Sequence, residues 1–190
     1  MDIEYEATFP EVDKEDMRKR LRQVGAELVR PEFVQRRFPF CLPGKDSMNE
    51  SWLRVRDEGD RVTLSLKSIN GERIENQREI CLSVSSFDEA VELLELIGCT
   101  KRCYQETKRE LWRMEGVDIT LDEWPFLEPF VEVEGKDEES VRRISEKLGF
   151  DYSVALFCTV GKLYRMKYNQ HPDEIPGLEK LVFDMPNPFV

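Results

Sequence analysis

The chain's 190 residues suffice for one domain with a well-buried core, or one domain plus a small appendage. With 40% hydrophobic and 35% charged residues it reads as globular, and its short apolar runs supply no membrane-spanning helix. A formal net charge of −11 argues against non-specific binding to nucleic acid or an anionic membrane, so neither is expected as a partner; a local basic pocket is still permitted.

In chain order, "DIEYEATFP" alternates Ile3, Tyr5, Ala7 and Phe9 with Glu4 and Glu6, the period of a half-buried strand. It begins without a charged-then-apolar leader, and the five cysteines (Cys41, Cys81, Cys99, Cys103, Cys158) form no CxxC pair; both features lead us to expect a cytoplasmic protein with reduced thiols. "DKEDMRKRLRQVG" predicts a helix capped by Asp13, with Met17, Leu21 and Val24 on one face and a stop at Gly25. "WLRVRD", "VTLSLK" and "REICLSV" predict strands that set apolar residues against Arg54, Arg56, Lys67 and Glu79. "SSFDEAVELLELIG" predicts a helix with a Ser86–Glu89 capping box and a terminal Gly98. The strands "VDITLD" and "FVEVEG" follow, opposing Asp118, Thr120, Asp122, Glu132 and Glu134 to Val, Ile and Leu. A third helix starts at Asp137 and ends at Gly149, and a fourth is expected between Val154 and Tyr168.

Two segments echo each other: "VGAELVRPEFVQRRF" and "IGCTKRCYQETKREL" both run from a helix-ending Gly into a Gln-containing basic strand. The tail "HPDEIPGLEKLVFDMPNPFV" is rich in proline, and it either docks on the chain's own barrel or a neighbouring subunit or stays disordered. The single histidine, His171, reads as a surface loop residue, which disfavours a His-based metal site or a Ser-His-Asp triad. A metal here falls to carboxylates.

Adjacent antiparallel strands would gather the polar side chains on one surface. That surface could face solvent. The charges, however, segregate: Arg54, Arg56 and Lys67 lie mid-chain, and Glu4, Glu6, Asp122, Glu132 and Glu134 towards the ends. The number of strands is enough for closure, so the expected fold is α+β, a closed antiparallel β-barrel with a polar interior and helices packed outside. A pocket with one cationic and one anionic wall suits a polyanion on the first and a hard divalent cation on the second.

The pair Glu4 and Glu6, followed in order by "LRVRD", "LSLK", "REI", "ETKRE", "ITLDEW" and "FVEVEG", resembles the CYTH family of class IV adenylate cyclases and thiamine triphosphatases, also called triphosphate tunnel metalloenzymes. The resemblance covers residues 1–168 as a tunnel domain and leaves 169–190 as the tail. It implies Mg²⁺ or Mn²⁺ held by Glu4, Glu6, Asp122, Glu132 and Glu134, with Glu4, Glu6, Glu132 and Glu134 catalytic. It further implies phosphates gripped by Arg54, Arg56, Lys67, Arg109 and Lys162, with Glu79 and Tyr164 in accessory positions. The implied substrate is ATP, tripolyphosphate or thiamine triphosphate, and the implied reaction is hydrolysis, cyclisation of ATP to cyclic AMP, or capture without turnover, in a possible homodimer. Three positions depart from the family pattern: Thr8 replaces the Lys of ExExK, Cys81 a second Glu, and Gln77 an Arg.

Overall fold

The computed structural model describes residues 1–48 and 50–190. Its elements, in order, are β1 (Asp2–Ile3), β2 (Tyr5–Phe9), α1 (Lys14–Gln23), β3 (Glu27–Cys41), β4 (Ser51–Asp57), β5 (Val62–Ile69), β6 (Gln77–Val84), α2 (Phe87–Leu96), β7 (Thr100–Lys101), β8 (Tyr104–Met114), β9 (Val117–Glu123), β10 (Phe130–Gly135), α3 (Glu138–Lys147), α4 (Val160–Tyr168) and β11 (Lys180–Leu181). The helix ends follow the expected chemistry. The side chains of Asp13, Ser86 and Asp137 accept from the backbone N–H of Asp16, Glu89 and Ser140, satisfying donors that a first helical turn leaves free.

The sheet runs β1-β6-β5-β4-β3-β8-β9-β10-β2, antiparallel along this path. Its two edges are joined because β1 and β2 are consecutive halves of one bent strand. Ile3 pairs with Arg78 of β6, Glu6 pairs with Glu134 of β10, and the Glu4 N–H donates to the Gln77 carbonyl at 2.9 Å. The sheet thereby becomes a nearly closed barrel. β3 stands opposite the bent strand, with β6, β5 and β4 between them on one side and β10, β9 and β8 on the other. The two echo segments supply β3 and β8, which pair with each other, Gln35 opposite Thr107 and Arg37 opposite Gln105.

Apolar residues of the alternating strands point outward into helix-covered clusters. Ala7, Ile119, Leu121, Val131 and Val133 meet Met17 and Leu21 of α1 and Val141 and Ile144 of α3. Phe40 and Val55 lie against Phe87, Ala90 and Leu94 of α2. A third cluster joins Trp124 and Phe130 to Leu163 and Tyr164 of α4 and Leu181 of the tail. Burying these side chains, each contributing about 1.5–3 kcal/mol, holds the helices outside and leaves the polar sides of the strands to the interior.

Two expectations are corrected. The fourth helix starts at Val160, not near Val154, because Leu156 forms an antiparallel bridge with Thr8 through N–H···O bonds of 2.9 and 3.0 Å and so keeps that stretch extended. His171 is not a surface loop residue. The tail docks: β11 runs parallel to β8, Phe189 stacks on Tyr164 and Tyr168, and His171 is carried to the barrel's interior cavity. No described helix is long and apolar enough to cross a membrane.

Candidate functional site

One cavity inside the barrel collects charges from most of the strands. Glu4 and Glu6 come from the bent strand and Glu132 and Glu134 from β10, while Arg54, Arg56, Lys67, Glu79 and Arg109 come from β4, β5, β6 and β8. Period-two geometry places them there, because their chain neighbours Ala7, Val55, Leu66 and Val133 point the other way.

The acidic wall is a cluster that repels itself. One carboxylate oxygen from each of Glu4, Glu6 and Glu134 lies within 4.8 Å of the others. Burial, with the charges of Glu132 and Glu4, pushes the Glu6 carboxyl well above the ordinary range. Burial and Glu4 also raise Glu134, and burial with Asp122 brings Glu132 up to about 7. Oxygen donors gathered without imidazole or thiolate fit a hard divalent cation, whose charge would offset this repulsion.

The basic wall is largely paired with carboxylates. Lys67 Nζ donates to Glu4 at 2.8 Å, Arg54 to Glu79 at 3.2 Å, and Arg56 lies 2.7 Å from Glu58. Burial opposes ionisation of Glu79, yet Lys67 and Arg54 bring its carboxyl down to about 2. Arg56 is lowered to about 9 by burial and by its neighbours Arg54 and Arg109. Arg109 donates through Nε and Nη2 to Asp122 at 2.7 and 2.8 Å and through Nη2 to Glu132 at 2.6 Å. Asp122 is thus buried as the anchor of Arg109, also accepting from Thr120 Oγ1 at 2.7 Å, and it is absent from the cavity lining. Three arginines of this wall, Arg37, Arg54 and Arg56, have an Nε with no acceptor among the described residues, as do Gln35 Nε2 and Thr63 Oγ1 outside the cavity lining.

Lys162 and Tyr164 lie elsewhere. Lys162 is half exposed and approaches Glu72 at 3.4 Å, and the buried Tyr164 hydroxyl donates to the Pro125 carbonyl at 2.7 Å. Neither lines the cavity, because α4 turns these side chains to the surface and to the tail cluster. Other lining residues escaped the sequence reading: Arg37 and Gln105, the turn Cys158–Gly161, and His171 with Pro172. Alternation does not mark Arg37, since the apolar Val34 on the same strand is the exposed side. Nothing local marks His171.

The tail packs on α4 so closely that a Cβ at Gly161 would stand 2.0 Å from His171 Nε2. Gly161→Ala is therefore expected to displace His171 and loosen the strap. The result to look for is faster limited proteolysis within residues 169–182 than in the wild type; equal cleavage would mean that the contact is dispensable.

Among solved structures, the PH1819 protein of Pyrococcus horikoshii superposes with a TM-score of 0.68 at 22% identity, covering 86% of this chain and 99% of its own. A candidate adenylate cyclase of Vibrio parahaemolyticus gives 0.74 at 13% identity, with coverages of 85% and 97%. An adenylyl cyclase candidate of Hippeastrum, described as having a dominant triphosphatase activity, gives 0.61 at 17% identity, with coverages of 90% and 99%. At these identities the likeness establishes the fold. No curated protein sequence matches the chain. Residues 2–162 match the CYTH domain, and the chain belongs to the CYTH family.

Proposed function

We propose that the chain is a divalent-metal-dependent phosphohydrolase that takes an inorganic or organic triphosphate into the barrel. The observation that carries this reading is the pairing of buried arginine donors without acceptors on one wall with a carboxylate cluster on the other, in which Lys67 reaches only Glu4. Phosphate oxygens are the acceptors that Arg forks match, and they bridge naturally to Mg²⁺ or Mn²⁺. Glu4, Glu6 and Glu134 would hold the cation, which supplies Lewis-acid polarisation of a phosphoryl oxygen when bound.

The chain's own groups do the rest. Arg54, Arg56, Lys67 and Arg109 bind and orient the phosphates, with Asp122 and Glu79 fixing Arg109 and Arg54. Glu132, at about 7 and tied through one oxygen to Arg109, is suited to accept a proton from an attacking water at its other oxygen. Incubation with tripolyphosphate, ATP or thiamine triphosphate, each with Mg²⁺ or Mn²⁺, tests the reading. Released phosphate is expected. Cyclic AMP with pyrophosphate would make the chain a cyclase instead, and tight binding without product would make it a capture module.

A further inference from the structure

Matching the cavity's cations to carboxylates leaves one over. Lys67 has Glu4, Arg54 has Glu79, Arg56 has Glu58, and Arg109 has Asp122 and Glu132. Arg37 has no carboxylate partner among the described residues. Its Nη2 donates to two neutral acceptors, Gln35 Oε1 and Thr107 Oγ1, each at 2.6 Å, and its Nε is buried with no acceptor. The guanidinium is only 5% exposed, lies over the Trp124 ring at 4.7 Å, and lines the cavity.

A buried cation without a counter-charge is costly. Burial, with Arg54, Arg56 and Arg109 nearby, holds the Arg37 pKa well below its usual value. The stacking on Trp124 and the bonds to Gln35 and Thr107 fix the fork's direction without neutralising it. Arg37 is held ready for a charge from outside the chain. Its strand, β3, faces the bent strand that carries Glu4 and Glu6 across the barrel, and Arg56 is its direct cross-strand partner on β4. An anion that reaches Arg37 therefore meets a second arginine at the same level, one held by Glu58, on the side away from Glu4, Glu6 and Glu134.

We infer that Arg37 is the tunnel's unneutralised anion receptor, binding the end of a polyphosphate chain that lies farthest from Glu4, Glu6 and Glu134. This rests on the reading of the barrel as a triphosphate site and adds to it the residue that the anion itself must neutralise. The competing role, a structural strut between β3 and Trp124, makes the opposite prediction about stability.

The test measures tripolyphosphate binding by calorimetry in EDTA, so that no turnover intervenes, alongside the melting temperature of the ligand-free protein. Arg37→Gln is expected to weaken binding about ten- to a hundredfold, the range for losing a charge-assisted hydrogen bond, while raising the ligand-free melting temperature. Arg37→Lys should retain an intermediate affinity. Unchanged affinity in Arg37→Gln overturns the inference, as does a lowered melting temperature or failure to fold, either of which would mark a strut. If wild-type protein binds no tripolyphosphate either in EDTA or with Mg²⁺, the triphosphate reading itself fails; if it binds and Arg37→Gln binds equally, only the role of Arg37 fails.

Discussion

Glu6→Gln is expected to reduce metal-activated turnover about a hundredfold or more, and at pH 8 to raise the melting temperature of the metal-free protein. The first effect follows from losing one oxygen donor of a Lewis-acid site, an interaction of several kcal/mol at about 1.4 kcal/mol per tenfold. The second follows from electrostatics, because the Glu6 carboxyl lies among Glu4, Glu132 and Glu134 and its ionisation is resisted by burial and by those charges. A carboxyl with a raised folded-state pKa binds its proton more tightly in the native state. Its ionisation therefore costs stability as pH rises above the unfolded value of about 4.5. The neutral amide removes that cost, with about 2–4 °C of melting temperature for each kcal/mol relieved, and the advantage should fade as pH falls and the wild-type carboxyl takes up its proton. Phosphate release with Mg²⁺ measures the first effect, and thermal scans at pH 5 and pH 8, with and without Mg²⁺, the second. A variant that keeps wild-type turnover and wild-type stabilisation by Mg²⁺ would remove Glu6 from the cation site.

Arg109→Met should act in the opposite direction on stability. It leaves Asp122 and Glu132 without their shared cation, and Asp122 is only 1% exposed. Breaking a buried pair by removing one partner costs about 3–5 kcal/mol, or about 6–20 °C in a chain of this size. Adding Asp122→Asn should restore much of the loss, because the stranded charge disappears while the hydrogen bond from Thr120 has a neutral acceptor. Denaturation of the single and double variants decides this. A single variant as stable as wild type would show that Arg109 is not the clasp between β8, β9 and β10.

These two arginines also show what could be read before any coordinates. Arg109 sits in "ETKREL", where only Leu111 is apolar, so it was legible from the family resemblance and not from alternation. Its division between Asp122 and Glu132 was not, because cross-strand register decides which carboxylate a cation reaches. Arg37 was hidden by β3 itself. In "FVQRRFPF" the polar Gln35 and Arg37 are buried and Val34 is 57% exposed, so hydropathy and burial run in opposite senses along that strand. The caps at Asp13, Ser86 and Asp137 were readable because capping is local chemistry. His171 was not, since its position depends on β11 reaching β8 and on Phe189 stacking against α4, contacts made far from its own neighbours in the chain. Lys162 illustrates the reverse error: a motif match assigned it a role, and the turn of α4 carried it to Glu72.

The bent strand that seals the barrel has unequal grips. It pairs with β10 along Tyr5–Phe9, but its ladder with β6 covers only Asp2–Ile3, extended by two bonds between Gln77 and the backbone of Glu4 and Glu6. The weaker seam is the natural place for the wall to part, since short ladders open at little free-energy cost. Glu4 and Glu6 ride on this stave, so a cation shared with Glu134 would tie it to β10, while Lys67 of β5 reaches Glu4 from the slack side. Glu4 thus serves both sides, and a cation bound there would compete with Lys67 for the carboxylate that helps hold the slack seam.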